Sequence, residues 1–146
     1  NEATKRWSVE NPEKAREKSR QWKEENPAKA REAVRRWELE NPARKLFLSC
    51  RGNAKARGLE CTITFEMVEP MLAPMVCAAT GLPLSLERDG STRANPWAPS
   101  IDRIDCSKGY VPGNVRIVCC AFNLMRNEWS DDVVLALVKA VVARAP

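Results

Sequence analysis

The chain has 146 residues, 44% hydrophobic and 29% charged, with a net charge of +5. That is enough for one domain and an appendage, and no apolar run approaches the ~20 residues of a membrane span, so a membrane protein is excluded. The charge is uneven: residues 1–58 hold 16 Lys and Arg against 9 Glu, whereas residues 59–146 hold 8 Lys and Arg against 10 Asp and Glu, an asymmetry that points to a polyanionic partner for the first part.

The chain opens on an internal repeat. Trp7, Trp22 and Trp37 recur every 15 residues, and Asn11-Pro12, Asn26-Pro27 and Asn41-Pro42 keep the same period. Asn is a preferred N-cap and Pro is favoured at N1, so each Asn-Pro predicts a helix start: Pro12–Glu25, Pro27–Glu40 and Pro42–Arg57. The residue before Pro avoids the helical region, which predicts separate or sharply kinked helices. Residues 1–40 hold few large apolar side chains and cannot form a core alone. Their cations include Arg16, Arg20, Lys23, Arg31, Arg35 and Arg36. Two readings stand: a solvated charged linker, or a basic arm, residues 1–45, that tracks nucleic-acid phosphates. The opening residues show no signal-peptide pattern, and the lack of an initial Met carries the expectation that sequence precedes them.

From Leu46 the composition becomes that of a folded domain, expected over residues 46–146. Gly58 is placed to end the third helix at C′. Glu60–Ile63 predicts a short strand, and Thr64 caps a helix from Phe65 to about Leu72. Cys77–Leu84 reads as a turn and an extended piece, and Glu87–Pro96 as a polar surface loop, with Trp97 expected to pack on the next strand. Ser100–Ile104 alternates polar and apolar like a half-buried strand. Asp105–Gly113 holds the Gly, Pro, Ser and Asp of a loop. Val115–Cys119 is a β-branched strand, and Ala121–Glu128 a short helix. Ser130-Asp131-Asp132 caps a last helix, Val133–Arg144, apolar on most sides and expected to pack in the core or against a partner, including a second copy in a homodimer. The class is α+β.

Folding the strand–loop–strand–helix segment brings three polar positions together: Asp102 at the end of the first strand, Asn114 at the start of the second, and Asn123 on the first turn of the helix. A carboxylate and amide oxygens are hard ligands suited to Mg²⁺ with phosphate and water. The six cysteines include no Cys-x-x-Cys pair, so they read as buried thiols of a reducing cytosol, with a structural Zn²⁺ site as the unfavoured alternative.

The ordered blocks Cys77–Gly81, Ser100–Asp105, Lys108–Tyr110, Gly113–Val115 and Asn123 resemble the HNH nucleases, the ββα-metal or His-Me finger family, and within it a phage and bacterial subgroup. The resemblance covers Arg57 to about Asp131. It implies a ββα-metal core and a metal-dependent DNA endonuclease acting in the bacterial cytoplasm, associated with a phage or mobile element. It implies Asp102 and Asn123 as ligands of Mg²⁺ or Mn²⁺, Asn114 as the residue orienting the loop or the attacking water, and double-stranded DNA as partner. Arg116, Arg126 and Lys108 are its expected phosphate contacts. HNH relatives often carry metal-binding Cys near Cys77 and Cys119, which makes those two expected neighbours. Most members have His after the first Asp; here that residue is Arg103, and the chain has no His. Guanidinium does not deprotonate near neutral pH, so Arg103 is expected to bind phosphate and stabilise charge. The base is then Tyr110, Asp105 or an ion-bound hydroxide. Two rivals accompany this reading: a DNA-binding module whose nuclease site has decayed, and a structural component of a DNA-packaging complex.

Overall fold

The structure is a computed structural model that describes residues 2–87 and 95–145. Two compact units divide between Glu40 and Asn41. The first unit holds α1 (Glu2–Glu10), α2 (Pro12–Glu25) and α3 (Pro27–Glu40). No residue of α2 or α3 is buried, as expected of helices so poor in apolar side chains. At Asn11 and Asn41 the side chain makes no capping hydrogen bond to the helix that follows. Asn11 and Asn26 donate from Nδ2 back to the carbonyls of Trp7 and Trp22, at 3.2 and 3.1 Å. Their own carbonyls accept the first bond of the next helix, from Ala15 and Ala30. One residue thus closes one helix and opens the next.

The second unit begins with α4 (Pro42–Arg57), whose buried stripe Ala43, Cys50 and Ala54 packs toward α5 (Phe65–Leu72). Gly58 ends α4 at φ +65, a left-handed conformation that costs glycine little. The chain after it runs beside the loop that will form the site. The strand expected over Glu60–Ile63 is reduced to one parallel bridge, Cys61 to Tyr110, because its partner is a loop rather than a sheet edge.

Next come β1 (Pro99–Arg103) and β2 (Val115–Cys119), antiparallel, with Ile101 opposite Ile117 and Asp102 opposite Arg116. α6 (Cys120–Arg126) follows β2 without a loop, and α7 (Asp131–Val142) ends the chain. Ile117, Val118, Cys119 and Phe122 join Val68, Leu72, Cys77 and Ala54 in one core. Trp97 is half exposed, and of the two places expected for α7 the core is not the one it fills: it buries Val134 while leaving Leu135, Leu137, Val141 and Val142 exposed. Of the expected loop at Glu87–Pro96, residues 88–94 lie outside the described residues. Among the described residues, no helix is long and apolar enough to cross a membrane.

Candidate active site

A cleft of about 180 Å³ lies against β1 and α6, with Asp102, Arg103, Tyr110, Asn123, Asn127 and Glu128 among its walls. The hairpin sets the first two. Asp102 and Arg103 end β1 and are both buried, at 3% and 7% exposure.

Burying a carboxylate is costly unless it is paired. Asp102 meets that cost with two arginines. Arg126 Nη1 donates to one oxygen at 2.9 Å and Arg116 Nε to the other at 2.8 Å. Both arginines also grip Asp131, at the start of α7. Arg116 does so with two bonds of 2.6 Å, and Arg126 through Nε at 2.8 Å. The four side chains form a closed ring of alternating charge. Within it Asp131 is held below the usual carboxylate range, first by Arg116 and then by Arg126. Arg116 is held further protonated, mainly by Asp131.

Arg126, 1% exposed, is among the most buried side chains. Its remaining donors go to the carbonyls of Arg103 and Ile104. The donors of Arg116 and Arg126, expected at phosphate, are engaged in this structure with Asp102, Asp131 and the backbone. Local sequence carries little sign of this, since Asp102 lies 14 and 24 residues from its two arginines and Asp131 lies 15 and 5.

The loop between the strands is pinned from within. Asn114 accepts from the Asp105 amide at 2.9 Å and donates to the carbonyls of Asp105 and Gly109 at 3.0 and 2.9 Å. It orients the loop, and its amide is occupied in doing so. Arg103 donates from Nη1 to the carbonyls of Cys106 and Lys108, both at 2.8 Å, and its guanidinium lies over the Tyr110 ring. Among the described residues, its side-chain hydrogen bonds all leave from Nη1, so Nε and Nη2 remain available to a ligand in the cleft.

The two side-chain candidates for a base sit in opposite electrostatic surroundings. Burial pushes the Tyr110 hydroxyl above its ordinary value, with Cys50 adding to the rise; Arg103 and Arg57 only partly oppose it. Asp105 is drawn down to about 2 by the Ser107 hydroxyl and amide and by Lys108. Its carboxylate is turned to those partners and does not line the cleft. Lys108, two-thirds exposed, is paired with it at 3.1 Å.

Asn123 donates from Nδ2 to Ser100 Oγ at 2.7 Å and to the Ile101 carbonyl at 3.4 Å, which leaves the acceptor end of the amide off the strand. Asp102 and Asn123 thus bring one carboxylate and one amide oxygen to the cleft, whose walls also carry Glu128, Asn53 and Asn127. The Asp102 and Asn123 oxygens fit a hard divalent cation completed by water and phosphate, and each Asp102 oxygen keeps a second lone pair beside its arginine. The two arginines oppose that cation electrostatically.

Four of the six cysteines lie in two adjacent pairs, Cys50 with Cys61 and Cys77 with Cys119. Burial and the neighbouring Cys61 push the Cys50 thiol up to about 12. Cys77 accepts from the Cys119 amide at 3.3 Å. Among the described residues, no three His, Cys, Asp or Glu side chains converge as ligands, whereas a structural zinc requires four donors.

The cleft also contains residues that sequence reasoning did not assign to it. Asn53 and Arg57 enter from the last turns of α4, and Asn127 and Glu128 from the end of α6. Asn127 holds a positive φ of 49, uncommon for a residue other than glycine and enriched for Asn. The helical spacing of Asn53 and Arg57 was readable; what it faced was not.

No family model matches the chain, and no curated protein does. Among solved structures, the chain is similar to the rare-cutting HNH restriction endonuclease PacI, at 23% identity and a TM-score of 0.51, over 68% of this chain and 75% of that one. That likeness concerns the fold: the strand pair and the helix after it are arranged as in an HNH-like α+β protein.

Proposed function

We propose that this HNH-like fold works as a divalent-metal-dependent DNA endonuclease, hydrolysing phosphodiester bonds in double-stranded DNA. The observation that carries the reading is the cleft in which Asp102, Arg103 and Asn123 meet on the strand pair and its helix. Asp102 and Asn123 would hold Mg²⁺ or Mn²⁺, and such an ion supplies positive charge to the scissile phosphate and its leaving oxygen. Arg103, fixed by two backbone carbonyls, is preorganised to meet negative charge that develops on the phosphate. Asn114 keeps the loop closed beneath it. Neither Tyr110 nor Asp105 takes the proton of the attacking water, so the chain's own contribution is positioning and electrostatic stabilisation. The N-terminal unit, with Arg16, Arg20, Lys23, Arg31, Arg35 and Arg36, adds a sequence-independent attraction for phosphates. A bacterial cytoplasm and a phage or mobile-element setting belong to the same proposal.

A second reading is favoured by one observation: both oxygens of Asp102 are already paired with arginine. It makes the chain a DNA-binding module whose metal site no longer functions. Incubation with supercoiled plasmid in Mg²⁺, Mn²⁺ or EDTA separates the two. The endonuclease nicks or linearises plasmid in a divalent ion and not in EDTA, and Asp102→Ala abolishes this while DNA is still bound. Binding without cutting in either ion selects the second reading.

A further inference from the structure

Charge accounting within the cleft leaves a gap. Arg116 and Arg126 are engaged with Asp102 and Asp131, so a phosphate entering the cleft must be met by other cations. Arg103 is one. The other cation lining the cleft is Arg57, on the last turn of α4. Its side chain is exposed, and among the described residues its guanidinium makes no ion pair or hydrogen bond. It is close enough that its charge opposes the rise of the Tyr110 hydroxyl, on the ring over which Arg103 lies.

The backbone holds this wall of the cleft in place. Gly58 terminates α4 directly after Arg57, and the Leu59 amide bonds back to the Ala54 carbonyl at 2.9 Å. The chain is then stitched to the site loop: the Tyr110 amide donates to the Glu60 carbonyl at 2.8 Å, and the Thr62 amide to the Tyr110 carbonyl at 3.0 Å. A Cβ on Gly109 would clash with the Glu60 backbone carbonyl, so the close approach of the two backbones depends on glycine there. Asn53, one helical turn before Arg57, lines the same cleft.

From this geometry we infer that Arg57 is a substrate-binding residue of the cleft, contacting the DNA phosphate held there together with Arg103. The inference rests on the endonuclease reading for the identity of that phosphate as the scissile one. Arg57 is free to make the bidentate fork that suits a phosphodiester.

The test uses the full chain and a plasmid-derived DNA duplex, with two independent readouts. The first is the dependence of DNA affinity on salt, measured in EDTA so that cleavage plays no part. Arg57→Ala should reduce the slope of log K against log salt by about 0.9, the value for one phosphate contact. The second is the single-turnover cleavage rate of fully bound DNA. Arg57→Ala should lower it on the order of 10²-fold, as for loss of one preorganised donor, and Arg57→Lys should recover only part. Lys55→Ala, on the opposite flank of α4, should stay within about twofold in rate, since a charge outside the cleft is screened. An unchanged slope for a folded Arg57→Ala protein overturns the inference, as does an unchanged rate where the wild type cuts. A wild type that never cuts, paired with a reduced slope, overturns the endonuclease reading and leaves Arg57 as a phosphate contact.

Discussion

Tyr110 shows how environment decides what a side chain can do. A general base contributes about 10²–10⁴-fold to a rate and is most effective when its pKa lies near the working pH. Burial moves this hydroxyl away from that range. Tyr110→Phe should therefore cleave within a few-fold of wild type in a plasmid assay, and the rate should show no tyrosine ionisation below pH 10. A loss of two orders of magnitude would restore Tyr110 as the base. Asp105 gives a second residue-level expectation. Its folded pKa of about 2 lies below the ordinary 3.8, so its contribution to the loop is present above that ordinary value and is lost as pH falls through about 2. The Ser107 amide, bonded to the Asp105 carboxylate at 2.9 Å, should titrate with that low midpoint when followed by NMR. The sequence identified the residue types of the cleft well, because Asp102, Arg103 and Asn123 sit in short motifs. It could not show how Arg116 and Arg126 are used, because an ion pair is a tertiary contact that either arginine could have forgone for solvent.

At the scale of elements, local signals and long-range packing part company. The three helices starting at Pro12, Pro27 and Pro42 have the boundaries that the Asn-Pro pairs predict, since proline and the residue before it restrict the backbone wherever they stand. The short helix after β2 was expected from Ala121 to Glu128 and instead spans Cys120–Arg126; its end is fixed by the turn at Asn127, which periodicity does not reveal. α7 has the composition of a buried helix yet leaves most of its apolar side chains exposed. What ties it down is Asp131, joined to both arginines of the ring. Arg126→Met should thus cost about 3–5 kcal/mol of stability in urea unfolding, because it removes one partner from a buried ionic network and strands the others. A loss under about 1 kcal/mol would mean that the ring contributes little to the fold.

For the whole molecule, the consequence is a division of labour between the two units. Removing residues 1–40 should leave the melting temperature of the remainder unchanged, since the first unit buries so little, while flattening the salt dependence of DNA affinity because fewer counterions are released. Calorimetry and titrations at several salt concentrations check the two halves of this expectation; an unfolded remainder would contradict it. The Asn-Pro junctions carry this further. The junctions at Asn11 and Asn26 each use one Asn to accept the opening bond of the next helix and to close the preceding one on a Trp carbonyl. Excising residues 11–25 would join Glu10 to Asn26 and regenerate the sequence Trp, three residues, Asn-Pro. The helical unit can thus be shortened or lengthened by whole cassettes of 15 residues with the joint regenerated, so that, on the proposed reading, its reach along DNA would change by duplication or loss of a cassette while the folded unit stays as it is.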